Sequence, residues 1–420
     1  MPDVVNSFPG YEFVRGEDGK MHNMYRGVDL GFGGYVYSEP GMYGNVALLD
    51  AASMHPTSIV LLNKLGEYTK NYADLRAARV FIKHGDYESA GNLFGGKFKK
   101  YLEDENEAEA LSKALKLPLN AFFGISFSSF PFRARDPRDH NNIIALRGAL
   151  FMKTLQDEIA RRGFKVVHIK TDSVKVANAT PEIIEFVKEF GQKYGYEMEH
   201  ECTYERMCLI DKANYIARYD EHGIRNKGGK HPNEWTATGK EFQVPYVFKT
   251  LFSKEPIKFE DMCEVLSVKT ALYLREDEND PEFVGRVGQF CPIKPGHGGK
   301  ELLRESKDAD GNVKYGAATG TKGYFWLESE VARQLGKEDD IDRSYYDDMV
   351  TKAVETISQF GDFERFVDLE HPYPVESFTT PCHSEEYESC LQCPLFHTME
   401  VGQGPDICEK GFYVDDVLPF

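Results

Sequence analysis

Residues 163–186 read GFKVVHIKTDSVKVANATPEIIEF. Two runs rich in β-branched and apolar residues flank a polar tip, Lys170, Thr171, Asp172 and Ser173. That pattern predicts a hairpin. Thr180 then serves as a helix N-cap and Pro181 as the first helical residue, opening a helix that runs to a glycine. The tip has two readings. It is a turn that happens to be polar, or a strand end that presents a carboxylate for chemistry.

The surroundings of the hairpin bear on the choice. Upstream, residues 139–162 carry apolar positions at helical spacing. Residues 10–60 read as strands separated by Gly-rich turns, and residues 60–125 read as helical with Lys and Arg distributed through them. Downstream, YERMCLIDKANYIARYD (204–220) reads as a strand pair. This order predicts an α+β fold with helices on one face of an antiparallel sheet. From about residue 245 the pattern changes to mixed helices and loops with an acidic bias, which marks a subdomain boundary.

At 420 residues the chain is long enough for two or three subdomains around a real core. Apolar content of 41% and aromatic content of 13% exclude a disordered chain. A formal charge of −18 argues against indiscriminate binding to nucleic acid but permits a local basic groove. The N-terminus carries no signal-peptide pattern, and no apolar run reaches membrane-spanning length. A cytoplasmic protein is expected. The eight cysteines are scattered until the C-terminal tail, which fits a reducing compartment.

Two further stretches complete the argument. In LLDAASMHPTSIV (48–60) a strand ends at Asp50 and turns into a helix. In KALKLPLNAFFGISF (113–127) a helix places Lys116, Asn120 and Phe123 along one face, with Gly124 beyond. Carboxylates at the ends of adjacent strands can share divalent cations, and oxygen-only ligands suit Mg²⁺. A lysine and an amide on one helix face suit a triphosphate with a base stacked above it.

Together these stretches resemble the polymerase half of a family B DNA polymerase, most like the phage enzymes. Asp50, Ser53 and Pro56 match the motif D-x-x-S-L-Y-P-S-I. Lys116, Asn120 and Gly124 match K-x-x-x-N-S-x-Y-G, and Thr171, Asp172 and Ser173 match D-T-D-S. FGGYV (32–36) resembles the Y-x-G-G element that precedes the palm. DKANYIARY (211–219) resembles the K-K-x-Y element that holds the primer, through Lys212 and Tyr215. The resemblance covers residues 30–215.

It implies a right-hand architecture: an antiparallel-sheet palm, helical fingers, a mixed thumb and a Cys-rich tail. Residues 1–60 would hold the N-terminal segment and the first part of the palm, 61–125 the fingers, 126–245 the rest of the palm, 246–375 the thumb and 376–420 the tail. It implies catalysis by Asp50, Asp172 and Lys116, with two ions of Mg²⁺, or Mn²⁺, held by the two aspartates and the Ala51 carbonyl. The incoming dNTP would meet Ala51, Ser53, Met54, His55, Asn120 and Phe123. A basic face of Arg76, Arg79 and Lys83 would close on the triphosphate or remain simply solvated. Primer–template DNA would meet Gly33, Gly34, Lys170, Thr171, Lys212 and Tyr215.

The sequence departs from the family at several points. Lys170 replaces the first aspartate of D-T-D-S. His55 stands where the family has the tyrosine that excludes a 2′-hydroxyl. Ala121 and Phe123 replace a serine and a tyrosine. No upstream segment could hold an exonuclease domain, so a separate subunit would supply proofreading, or the polymerase does without it. In the tail, Cys382, Cys390, Cys393 and Cys408 could hold Zn²⁺ or an iron–sulfur cluster, with His383 and His397 as alternative ligands, or remain reduced. The reading opposed to an active replicase, working in a host cytoplasm if of phage origin, is a catalytically weak scaffold that binds primer–template.

Overall fold

The computed structural model describes residues 7–127, 142–225, 229, 231–276, 280–371 and 373. The four tail cysteines, His383 and His397 lie outside the described residues. The chain divides into two compact units, Met1–Lys212 with Arg218–Asn233, and Ala213–Ala217 with Glu234–Pro372.

The first unit opens with a small antiparallel sheet of β1 (Tyr11–Arg15), β2 (Met21–Tyr25) and β3 (Val28–Asp29). Its main sheet is built from β4 (Val36–Ser38), β5 (Gly41–Ala51), β6 (Lys165–Lys170), β7 (Ser173–Ala177) and β8 (Met198–Leu209). These pair in the order β8-β5-β7-β6-β4, and every pair is antiparallel. The predicted hairpin is β6 and β7, joined at Thr171 and Asp172. The predicted helix after it spans Pro181–Lys193, with Thr180 at the N-cap and Pro181 in the first turn.

Helices occupy the segments the sequence assigned to them: α1 (Met54–Leu61), α2 (Thr69–Lys83), α3 (Tyr87–Asn92), α4 (Glu105–Phe127), α5 (Ile143–Arg161) and α6 (Pro181–Lys193). Helix α5 buries Leu150, Phe151, Met152 and Leu155 completely, in one cluster with Leu49, Val174 and Val176 of the sheet. Burial on this scale anchors the sheet, because each fully buried large apolar side chain contributes roughly 1.5–3 kcal/mol. Gly148 sits where α5 meets α1. A Cβ there would lie 2.6 Å from Met54 Sδ. Only glycine lets α1 approach this closely, which holds its N-terminus over the end of β5.

The second unit corrects an expectation. Residues beyond 245 read as mixed helices and loops, yet a five-stranded antiparallel sheet forms there. After β9 (Tyr215–Tyr219) and β10 (Trp235–Thr238) in the chain come β11 (Glu264–Arg275), β12 (Glu282–Ile293), β13 (Glu301–Lys307), β14 (Val313–Ala317) and β15 (Phe325–Glu328). The last five pair in the order β14-β13-β11-β12-β15. Helices α7 (Ser329–Gln334) and α8 (Ser344–Ser358) follow. The core of this unit gathers Leu272, Phe290, Ile293, Trp326 and Tyr346, all fully buried. Trp326 donates its indole N–H to the Thr321 carbonyl at 3.1 Å. Strands such as EVLSVKTALYLR expose much of one face. The register shift between Ser267 and Leu272 and the exposed Val265 break the alternation that marks a strand.

Among the described residues no helix is long and apolar enough to cross a membrane.

Candidate active site

The end of β5 and the tip of the β6–β7 hairpin meet. Asp50 pairs with Ser173 on β7 and with Glu199 on β8. The Ala51 N–H donates to the Asp172 carbonyl at 2.8 Å, which docks the tip against β5. The tip itself is strained. Thr171 adopts φ 61°, a left-handed conformation that a β-branched residue rarely takes. The Asp172 N–H turns back to the Lys170 carbonyl at 2.8 Å, while the Thr171 N–H donates to the Tyr35 carbonyl at 2.9 Å. The FGGYV element therefore holds the tip in place. A Cβ on Gly34 would sit 2.5 Å from the Thr171 side chain. Gly34→Ala is expected to destabilise the protein by about 1–3 kcal/mol through this overpacking. A loss below about 0.5 kcal/mol in denaturant unfolding would show that the tip is free to move.

Electrostatics bind the two carboxylates into one system. Burial, together with the negative charges of Asp172, Glu201 and Glu199, pushes Asp50 up to about 8. Burial also raises Asp172, against the opposing pull of His55 and Lys116. Two half-buried acids that resist ionisation are the arrangement a divalent cation relieves. Glu197 and Glu199 add further oxygens. With His84 they place one ligand atom each within 4.8 Å of one another. A divalent ion held at Asp50 and Asp172 would meet carboxylate oxygens, the ligand chemistry that suits a hard ion.

Cations converge from the helices. Arg76, Arg79 and Lys83 do share one face of α2, and that face turns toward the carboxylates. Arg79 Nη1 donates to Ser53 Oγ at 3.0 Å, and Lys83 Nζ to Glu199 Oε2 at 3.2 Å. His84 Nε2 lies 3.0 Å from Glu199 Oε1. The charge of Glu197 acts on Arg76. The buried Nε atoms of Arg76 and Arg79 have no hydrogen-bond partner among the described residues. Orphaned guanidinium donors beside a helix N-terminus suit an anion rich in acceptor oxygens, such as a triphosphate. Ser53, with φ 57°, is the N-cap of α1 but makes no side-chain cap, which leaves the first-turn amides of Met54 and His55 uncapped from that side.

Helix α4 supplies the remaining groups. Lys116 and Asn120 are exposed, and the charge of Lys116 reaches Asp172. Pro118 lies between them and removes one backbone donor from the helix. Phe123 stacks on His55, with ring centroids 4.2 Å apart and planes within 10°. Burial holds the His55 imidazole below its ordinary range, and its buried Nδ1 lacks a partner among the described residues. The structure thus groups Asp50, Ala51, Ser53, Met54, His55, Arg76, Arg79, Lys83, Lys116, Phe123, Thr171 and Asp172 in the first unit, with Gly33 and Gly34 behind the tip. Lys170 is exposed at the end of β6, paired with Val36 and Ser173. Lys212 ends the first stretch of that unit, its carbonyl 3.1 Å from His168 Nε2. Tyr215 belongs to the second unit, where its N–H donates to Thr238 Oγ1 at 3.2 Å.

Sequence reasoning missed Glu197, Glu199 and Glu201. The signal was present as EMEHE (197–201), three carboxylates at alternate positions. Alternation puts such residues on one face of a strand, but only the pairing of β8 with β5 brings that face to Asp50.

No family model matches the sequence. Two curated DNA polymerases match it in part. DNA polymerase II of Escherichia coli (strain K12) is 31% identical over 272 residues, which are 53% of this chain and 33% of that protein. DNA polymerase 1 of Pyrococcus abyssi (strain GE5 / Orsay) is 23% identical over 242 residues, 50% of this chain and 31% of that protein. A solved family B DNA polymerase from the hyperthermophilic archaeon Pyrobaculum calidifontis aligns at TM-score 0.44 and 11% identity, covering 82% of this chain and 49% of the other. Over about half of its length the chain is thus similar in sequence to part of these DNA polymerases. It spans about a third of the length of the curated relatives it matches.

Proposed function

We propose that this chain is a template-directed DNA polymerase that joins a dNTP to a primer 3′-hydroxyl. The first unit serves as palm and fingers, and the second as thumb. The observation that carries this reading is the meeting of Asp50 and Asp172 at one end of a sheet, under a cationic face with unpaired guanidinium donors.

Asp50, Asp172 and the Ala51 carbonyl would hold divalent cations, which lower the pKa of the attacking hydroxyl and offset charge on the leaving oxygens. The chain's own groups do the rest. Arg76, Arg79 and the α1 amides seat the triphosphate. Lys116 contacts it and can donate a proton to the departing pyrophosphate. Phe123 and His55 form a flat wall for base and sugar. Lys83 leaves Glu199 to meet a phosphate oxygen. Catalysis is then chiefly orientation and charge stabilisation.

Extension of a labelled primer on a DNA template, with Mg²⁺ and dNTPs, tests the reading. Nucleotide-by-nucleotide products are expected. Tight primer–template binding with no extension in Mg²⁺ or Mn²⁺ would sink it and favour a binding scaffold.

His55 carries a second expectation. Its imidazole is shorter than the tyrosine that the family places there, so it leaves more room beside the sugar. His55→Tyr is expected to raise the preference for dNTP over rNTP by about tenfold. Equal ratios for both proteins, measured as kcat/KM on each nucleotide, would remove His55 from sugar choice.

A further inference from the structure

Lys175 is a charged side chain placed where the sheet gives it almost no water. It lies on β7 at 4% exposure. Across one side it pairs with Leu48 of β5, and across the other with His168 of β6. Leu48 and Asp50 share a face of β5, as Ser173 and Lys175 share a face of β7. Asp50 pairs with Ser173, so Lys175 sits one pair further in on Asp50's own face. Diagonal neighbours of this kind have backbones about 7–8 Å apart, within reach of a lysine side chain.

The lysine is also held. Its Nζ lies 3.0 Å from His168 Nδ1, and His168 Nε2 lies 3.1 Å from the Lys212 carbonyl. One tautomer satisfies both contacts. The Nε2–H donates to the carbonyl, and Nδ1 accepts from the ammonium. His168 is 1% exposed, and its burial together with the charge of Lys175 pushes it down to about 4, so the ring is neutral. The β5–β8 register shifts between Leu48 and Leu49, leaving Glu201 as the extra residue. Burial lowers the Lys175 ammonium to about 8, and the charges of Asp50 and Glu201 oppose that fall.

We propose that Lys175 is the built-in counter-ion of the carboxylate row, a positioning residue that balances Asp50 and Glu201 from inside the fold and sets how tightly the row holds a divalent cation. It does this by like-charge opposition. The ammonium supplies part of the charge that a metal ion would supply, so the row stays ordered without metal and binds metal less tightly. His168 fixes the ammonium in place and ties it to the backbone at Lys212. This inference rests on the metal reading of Asp50 and Asp172.

Thermal unfolding of the full chain, followed against MgCl₂ concentration, tests it without polymerase activity. The proteins are wild type, Lys175→Met, Lys175→Gln, whose amide can still donate to His168, and Asp50→Asn. Wild type is expected to gain stability with Mg²⁺, and Asp50→Asn to lose that response. In both neutral Lys175 variants the midpoint of the response should fall to about one tenth of the wild-type Mg²⁺ concentration. Lys175→Arg, which keeps the charge, should return it toward wild type. A lower melting temperature at every Mg²⁺ concentration with an unmoved midpoint would overturn the proposal and leave Lys175 as a packing group. A wild type indifferent to Mg²⁺ would instead overturn the metal reading itself, and the counter-ion role with it.

Discussion

Asp172→Asn and Asp50→Asn are each expected to lower the rate of primer extension by about a thousandfold or more, with primer–template affinity nearly unchanged. An asparagine keeps the shape and loses the charge. If either carboxylate merely stabilised the hairpin, its amide would function almost as well. Single-turnover extension rates decide, with DNA binding measured alongside. A loss under about tenfold in either variant would remove that residue from the reacting centre.

The same change should make the metal-free protein more stable at alkaline pH. The Asp50 carboxyl is pushed up from 3.8 to about 8 in the folded protein. A group raised on folding contributes its stability below its unfolded value and loses it as pH climbs through the folded one. Between pH about 4 and about 8 the metal-free wild type should therefore weaken, while Asp50→Asn, with nothing to ionise there, should escape that part of the slope. Denaturant unfolding in EDTA at pH 5 and pH 9 tests the sign. A residue whose removal abolishes function while stabilising the fold is under functional constraint, a common pattern at active sites.

The second large effect concerns Lys116. It is exposed, so its removal should leave stability within about 0.5 kcal/mol of wild type. Its charge reaches Asp172, which places it at the working face of α4. A charged hydrogen bond to a phosphate contributes about 1.5–3 kcal/mol, so Lys116→Ala should reduce kcat/KM for the dNTP roughly 10- to 100-fold. Loss of ground-state binding alone would appear entirely in KM. A fall in kcat with KM little changed would mark Lys116 as a group that acts in the transition state, consistent with protonation of pyrophosphate. Unchanged kinetics would return it to an ordinary surface lysine.

The parts of this site that could be read in advance are those governed by neighbours in the chain. Pro181 starts a helix whatever lies around it, because a fixed φ acts locally, and Thr180 takes the N-cap position without a side-chain cap. The apolar runs on either side of Lys170–Ser173 form a hairpin because β-branched residues and a polar tip favour one. Arg76, Arg79 and Lys83 share a face because a helix repeats every 3.6 residues. Asp50, Lys116 and Asp172 stand out because their motifs, taken together and in order, resemble those of one polymerase family.

The remainder depended on pairings between distant segments. Nothing near Glu199 in the chain says that it will lie opposite Asp50. The β5–β8 register and its shift after Leu48 decide that. The five-stranded sheet of the second unit was hidden likewise, since a half-exposed strand is stabilised by its partner strands more than by its own composition. Lys175 is the clearest case. In sequence it is one lysine in a β-run, while in the fold it is a buried cation behind the candidate catalytic carboxylates. Local propensity acts over a turn of helix or the width of a strand. Charge acts through space at the separations that register sets, so the chemistry of the carboxylate row became readable only when the strands were paired.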